Sequence, residues 1–228
     1  MIIKDKTIVS FKNKLKLSGI KGLALDIDDT LADTSIVWLE RVAVVLGNPE
    51  QLTMREMSKK YGYGRHVDYW VEEEYERVTL EFKHSNEFFE NIPLIENANK
   101  HVETISKIVP IIAYITARPK QVLDGTEKWL NKHKFPKLGM INRPEGISSE
   151  EQFEWKARVL EQMYPQVLGI IDDSVGIVNE LSKDYKGIVF LYKDIEEVRN
   201  DIRVVVCKDW DDVLKKVKEN KEFFKRVK

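Results

Sequence analysis

The sequence has a single cysteine, no long apolar run and almost no net charge, and each of these shortages excludes a class of protein. The lone thiol, Cys207, cannot form an internal disulfide, and its apolar neighbours favour a buried structural role over a nucleophilic one. No apolar run approaches the ~20 residues that span a bilayer, and charges among the first nine residues predict that there is no signal peptide. We therefore expect a cytoplasmic protein without a membrane contact.

Basic and acidic residues are almost equal in number, at 37 and 38. The formal net charge of -1 gives no general attraction to nucleic acid or to anionic membranes. The hydrophobic share of 43% and the charged share of 33% are those of a folded protein with a sizeable core. A chain of 228 residues suits one domain with an insertion, or two small domains. The four histidines fall outside every motif below and are expected at the surface.

Six short apolar runs recur along the chain, with helical spacing between them. The runs are 22–27, 111–115, 138–141, 168–171, 188–191 and 204–206. They lack the polar and apolar alternation of a half-exposed strand, which favours strands buried on both faces. Intervening segments such as 121–134 and 152–163 have helical spacing. This order predicts an α/β fold with a doubly wound parallel sheet.

One interval is too long for a single crossover helix. About eighty residues separate the first two runs, with helical periodicity and apparent breaks at 47–49 and 61–64. We interpret this interval as a small α-helical cap domain. The predicted division is a core formed by residues 1–32 and 106–228, with a cap at 33–105.

Polar residues follow three of the apolar runs, where the carboxyl ends of parallel strands form the usual ligand site. They are Asp26, Asp28 and Asp29 after the first run, Thr116 and Arg118 after the second, and Asp172 and Asp173 after the fourth. Carboxylates gathered in this way need a compensating cation. Oxygen ligands without His or Cys favour Mg²⁺. For Asp29 and Asp173, helix capping is an equal alternative.

These residues resemble the motifs of the haloacid dehalogenase superfamily. The stretch 25–31, Leu-Asp-Ile-Asp-Asp-Thr-Leu, is similar to its DxDxT signature, and the segments 114–118, 154–157 and 170–174 resemble the other three motifs in order. The resemblance covers about residues 20–195 and implies a core of that superfamily's fold.

The resemblance also implies roles for individual residues in a phosphatase. Asp26 would be the nucleophile that forms an aspartyl-phosphate, and Asp28 would be the general acid and then the base. Lys156 would neutralise charge, with Lys120 as the alternative. Thr116 would hold a phosphoryl oxygen, next to Ala117 and Arg118 as further substrate-binding candidates. The Mg²⁺ ligands would be Asp172, with Asp173 as a further candidate, together with Asp26 and the backbone carbonyl of Asp28. Because dehalogenases of the superfamily lack the second acid, Asp28 disfavours dehalogenation.

The expected partner is a small phosphorylated metabolite, and a nucleotide is one candidate. Residues 88–98 are similar to the stretch from cap to core in 5'(3')-deoxyribonucleotidases, whereas 126–136 resembles the phosphatase half of polynucleotide kinase-phosphatases. Trp70 could stack on a base, although core packing is the commoner role of such an aromatic residue. A polynucleotide 3'-phosphatase, a phosphoacceptor signalling module and a non-catalytic binding protein remain open alternatives. The sequence does not predict the oligomeric state.

Overall fold

The computed structural model describes residues 6–226. Residues 1–5, which are part of the segment used for the signal-peptide prediction, lie outside the described residues. Residues 227 and 228 of the predicted core lie outside them as well. Within 6–226, no helix combines the length and the apolar composition that crossing a bilayer requires.

The centre of the molecule is one parallel sheet, and each predicted apolar run overlaps one of its strands. The strand order is β3-β2-β1-β4-β5-β6. The strands are β1 (Gly22–Leu25), β2 (Ile111–Pro119), β3 (Gly139–Arg143), β4 (Val167–Asp172), β5 (Ile188–Tyr192) and β6 (Arg203–Cys207). This arrangement confirms the predicted doubly wound α/β fold.

Helices cover both faces of the sheet. They are α1 (Lys6–Ser18), α2 (Thr34–Leu46), α3 (Met54–Tyr61), α4 (Glu72–Leu80), α5 (Asn86–Glu90), α6 (Ala98–Ser106), α7 (Leu123–Lys132), α8 (Gln152–Met163), α9 (Val175–Glu180), α10 (Trp210–Glu219) and α11 (Lys221–Arg226). Side chains alternate across each strand, so Leu23 and Leu25 join one core and Ala24 joins the other. The second core includes the inner faces of α1, α8 and α9.

The helices between β1 and β2, α2 to α6, are called the helical insertion below. α2 ends before Gly47 and α3 ends before Gly62, two glycines with positive φ that close the helices as the sequence predicted. α3 begins with a capping box between Thr53 and Glu56. The last helix of the insertion, α6, packs on β2 and α10. The division into a core and a cap domain stays a prediction.

Candidate active site

The loop after β1 is held by hydrogen bonds to the sheet and to α2. The Asp26 N–H donates to Ile171 O at 3.0 Å, which continues the pairing of β1 with β4. Asp29 has a φ of 55°, and its carboxylate accepts a hydrogen bond from Ser35 N at 2.7 Å. Burial raises the pKa of Asp29 to about 6. Asp29 therefore ties the start of α2 to the loop, which agrees with the capping alternative.

Lys156 lies inside the site rather than at the surface. It is on α8 with 3% of its surface exposed. Its Nζ is 2.5 Å from Asp26 Oδ1 and 2.7 Å from Asp172 Oδ2. Burial acts to lower the pKa of Lys156, but Asp172 and Asp26 outweigh it and raise the pKa above its usual value. Lys156 is therefore a fixed cation between the carboxylates at the ends of β1 and β4. The alternative, Lys120, is exposed.

Three carboxylates form a set that could hold a metal ion. One oxygen from each of Asp26, Asp172 and Asp173 lies within 4.8 Å of the others. Burial raises the pKa of Asp26 to about 8 and that of Asp173 well above its usual value. Such crowding indicates that Lys156 alone does not compensate these charges. An oxygen-only set of this kind fits a hard divalent cation.

The buried Arg118 and the partly exposed Asp28 form an ion pair across the site. Arg118 Nη2 lies 2.8 Å from Asp28 Oδ1, and Nε lies 3.1 Å from both carboxylate oxygens. Thr34 Oγ1 donates to the same carboxylate at 2.6 Å. Burial acts to raise the pKa of Asp28, but Arg118 outweighs it and holds that pKa below its usual value. Asp28 is therefore ionised near neutral pH in this arrangement.

Arg118 makes two further contacts inside the protein. Nη1 donates to Thr126 Oγ1 at 3.1 Å, and the guanidinium carbon lies 4.6 Å from the centroid of the Phe89 ring. With 2% of Arg118 exposed, the side chain is positioned to hold Asp28. Its predicted contact with substrate stays a prediction.

The other predicted substrate-binding residues have different surroundings. Thr116 is fully buried in the second half of β2, where its hydroxyl accepts a hydrogen bond from Arg118 N at 3.2 Å. Ala117 lines the cavity described next. Trp70 is 6% exposed, stacks on Tyr75 and donates to Gly47 O at 2.9 Å. The structure thus places Trp70 in the packing of the helical insertion, and its role in stacking on a base stays a prediction.

A cavity of about 410 Å³ lies between the carboxyl edge of the sheet and the helical insertion. The charged side chains that line it are Asp26, Asp28, Asp29, Arg65, Glu76, Lys83, Arg118, Arg143, Lys156, Asp172 and Asp173. Its aromatic wall includes Trp38, whose Nε1 donates to Tyr75 Oη at 3.0 Å. The cavity therefore joins the carboxylate cluster to a partly apolar chamber.

Sequence reasoning missed Arg143 and every lining residue of the helical insertion. A signal existed for Arg143, because it ends β3 as Asp26 and Asp172 end or follow their strands. The same expectation, that polar residues directly after a parallel strand lie at the ligand site (the strand-end rule), would have identified Arg143 after the third apolar run. No comparable rule identifies Arg65 or Lys83, since their position depends on how the insertion folds over the sheet.

Comparisons with known proteins cover both sequence and fold. A family model described as the LNS2 domain of PITM 1-3 matches residues 81–184, a range that includes β2, α8 and β4. No curated protein matches the sequence.

Solved structures are similar over most of the chain. A hydrolase from Pseudomonas syringae is 16% identical, with a TM-score of 0.53, and the match covers 87% of this chain and 98% of that one. A Thermotoga maritima protein assigned as a beta-phosphoglucomutase is 19% identical, with a TM-score of 0.52 and coverage of 88% and 99%. A dehalogenase solved as an intermediate complex is 11% identical, with a TM-score of 0.50 and coverage of 85% and 95%. At these identities the likeness shows a shared fold.

Proposed function

We propose that this chain, which has the fold of the haloacid dehalogenase-like hydrolases, is a Mg²⁺-dependent phosphatase of small phosphate monoesters. The observation that carries the proposal is the contact of Lys156 with Asp26 and Asp172 at the floor of one cavity, with Asp28 beside them. A nucleophilic carboxylate next to a fixed cation and a second carboxylate is what a two-step phosphoryl transfer requires.

Asp26 is the proposed nucleophile. Its carboxylate attacks phosphorus, the bond to the ester oxygen breaks, and an aspartyl-phosphate forms. Lys156 holds a positive charge against the Asp26 oxygen and thereby reduces the repulsion between the carboxylate and the incoming phosphate dianion. Asp26, Asp172 and Asp173 would hold the Mg²⁺, which supplies further charge neutralisation when bound.

Asp28 is the proposed acid and base. It would donate a proton to the leaving oxygen in the first step and accept a proton from the attacking water in the second. Because Arg118 keeps the carboxylate ionised and fixed in orientation, the base role in the second step is the one that this arrangement favours directly. Hydrolysis of the aspartyl-phosphate then releases inorganic phosphate and regenerates Asp26.

Hydrolysis of p-nitrophenyl phosphate, with Mg²⁺ and with EDTA, tests the proposal. We expect turnover with Mg²⁺ only, and loss of at least ~10³-fold of kcat in Asp26→Asn. Asp184→Asn, which changes an exposed aspartate, is the matched control and should keep full activity. Equal turnover in Asp26→Asn would contradict the mechanism.

Two further readouts separate the alternatives. A phosphoenzyme that accumulates after acid quenching without turnover would favour a phosphoacceptor module. Failure to hydrolyse any member of a panel of nucleoside monophosphates, sugar phosphates and a 3'-phosphorylated oligonucleotide would favour a non-catalytic binding protein. Turnover of the oligonucleotide alone would favour the polynucleotide 3'-phosphatase.

A further inference from the structure

Arg143 differs from the other lysines and arginines that line the cavity. Each of the others has a carboxylate partner. The pairs are Arg65 with Glu150, Lys83 with Glu76, Arg118 with Asp28, and Lys156 with Asp26 and Asp172. Across residues 6–226, no carboxylate lies within ion-pairing distance of Arg143. Its charge is therefore the one in the lining that a bound molecule would have to neutralise.

Main-chain carbonyls hold the Arg143 side chain in one orientation. Arg143 ends β3, paired with Pro119 of β2. Its Nε donates to Ala117 O at 3.0 Å, and its Nη1 donates to Ile147 O at 2.7 Å. In the described part of the chain, Nη2 has no hydrogen-bond acceptor. The guanidinium is thus fixed by two neutral acceptors while one donor nitrogen remains unused.

The surroundings of Arg143 do not favour its charge. The side chain is half-buried, and burial lowers its pKa, with Glu150 acting in the opposite direction. The Glu150 carboxylate is already 2.9 Å from Arg65. A partly desolvated guanidinium without an anion is unfavourable unless a ligand supplies one. Guanidinium groups also match carboxylates and phosphates by donating two hydrogen bonds to one group.

The position of Arg143 separates it from the reacting phosphoryl group. β2 lies between β3 and β1, so the strands that carry Arg143 and Asp26 are about 10 Å apart at two strand spacings. At the Asp26 end, Lys156 already provides a cation. A small ester that spans the two positions would place its transferred phosphate at Asp26 and a different group at Arg143.

We propose that Arg143 binds a second anionic group of the substrate, a carboxylate or a further phosphate. The inference rests on the proposed phosphatase function and narrows its substrate class to small phosphate esters with an additional negative charge.

Matched pairs of esters test the inference with Arg143→Gln. The carboxylate arm compares phosphoglycolate with ethyl phosphate, and the phosphate arm compares propanediol bisphosphate with propyl phosphate. We expect the unaltered protein to prefer the more anionic member of at least one pair. Arg143→Gln should raise the KM of that member roughly 10- to 100-fold, the range of a lost charge-assisted hydrogen bond. The other ester and p-nitrophenyl phosphate should keep their kcat and KM.

Two variants serve as controls. Lys83→Gln removes a lining lysine whose partner is Glu76 rather than a carboxylate that acts on Arg143, so both members of each pair should shift alike. Arg143→Lys keeps the charge but cannot present the same planar donors, so it should restore part of the preference. It also supplies a second variant should Arg143→Gln fail to fold, which circular dichroism would reveal.

The outcomes also separate the inference from the proposed function. Turnover of p-nitrophenyl phosphate by the unaltered protein with no preference in either pair would overturn the inference and leave the phosphatase in place. An equal loss on every ester in Arg143→Gln would assign Arg143 to the transferred phosphate and also overturn it. If no ester is hydrolysed, the phosphatase proposal fails. Calorimetric titration with phosphoglycolate and ethyl phosphate, with and without Arg143→Gln, then decides the inference by itself.

Discussion

The pair between Arg118 and Asp28 illustrates how one residue can fix the chemistry of another. Three short contacts from a single guanidinium leave the carboxylate one orientation, and Thr34 adds a fourth. The predicted contact of Arg118 with substrate stays a prediction, and in the structure its guanidinium donates to Asp28 and Thr126. We therefore expect Arg118 to influence an ester through Asp28 as well.

Arg118→Lys is expected to impair proton transfer more than substrate binding. Lysine keeps the charge but loses the two-pronged geometry, so Asp28 would be held less firmly. For alkyl phosphates, which need a proton on the leaving oxygen, kcat/KM should fall about 10²-fold. For p-nitrophenyl phosphate, whose leaving group needs no acid, the fall should stay below about tenfold.

Steady-state kinetics on both ester types measures this difference. Thr126→Val, which removes the acceptor of Arg118 Nη1 and the hydrogen bond from Thr126 Oγ1 to Val122 O, is the milder comparison. A uniform loss on both esters, with KM raised and kcat unchanged, would instead assign Arg118 to substrate binding.

At the scale of elements, α8 presents Lys156 to the site, and α1 secures the other end of that helix. Lys12 Nζ of α1 donates to Gln162 O at 2.5 Å and to Tyr164 O at 3.1 Å, next to the last residues of α8. A cation is favourable at this end because the helix carbonyls there carry partial negative charge. α1 thereby connects the chain's first described segment to the helix that carries a proposed catalytic residue.

Lys12→Met should lower the free energy of unfolding by about 1 kcal/mol, because methionine keeps the apolar stem and loses the hydrogen bonds. Urea unfolding followed by circular dichroism measures the change. Lys14→Met, on the exposed side of α1, is the matched control and should stay within about 0.5 kcal/mol. Equal effects of the two substitutions would show that Lys12 contributes only general surface charge.

At the scale of the whole molecule, the sheet gathers its charges at one edge. β1 and β4 are neighbours, so Asp26 and Asp172 meet although 145 positions of sequence lie between them. Burial of this cluster sets a pH dependence that no single carboxylate in solution would have.

The free energy of unfolding of the metal-free protein should fall as pH rises from about 4 to about 8. Burial raises the folded-state pKa of Asp26 to about 8 against the pull of Lys156, so the folded state retains a proton that the unfolded state releases. Each such proton gives about 1.4 kcal/mol per pH unit. Asp29, with a pKa of about 6, adds to the lower half of that window.

Two other groups do not reverse this slope. The lowered pKa of Asp28 contributes stability that is lost only when pH falls below the ordinary pKa of an aspartate, which is about 4. The raised pKa of Lys156 contributes stability that is lost only in strongly alkaline solution.

Urea unfolding in EDTA between about pH 4 and about pH 8 tests the prediction, and Asp26→Asn should flatten the upper half of this stability profile. Mg²⁺ should stabilise the protein increasingly as pH rises, because it binds the ionised carboxylates. A flat profile, unaffected by Mg²⁺, would contradict the proposed cluster.

The local pattern of the sequence was sufficient to predict the strands of the parallel sheet. Runs such as 168–171 are short, rich in branched residues and apolar throughout, and only a strand covered on both faces satisfies such a segment. The strand-end rule likewise predicted which loops carry the carboxylates, because the edge of a parallel sheet follows from chain direction alone.

Only the tertiary structure decided where individual side chains point. Arg118 turns to Asp28 because Thr126 and Phe89 complete its surroundings, and Trp70 packs on Tyr75. Within residues 6–226, Arg143 has no carboxylate partner, while Glu150, whose charge acts on it, pairs with Arg65 from the helical insertion. Each of these outcomes depends on partners distant in sequence that compete for the same charge or space, and no local pattern encodes that competition.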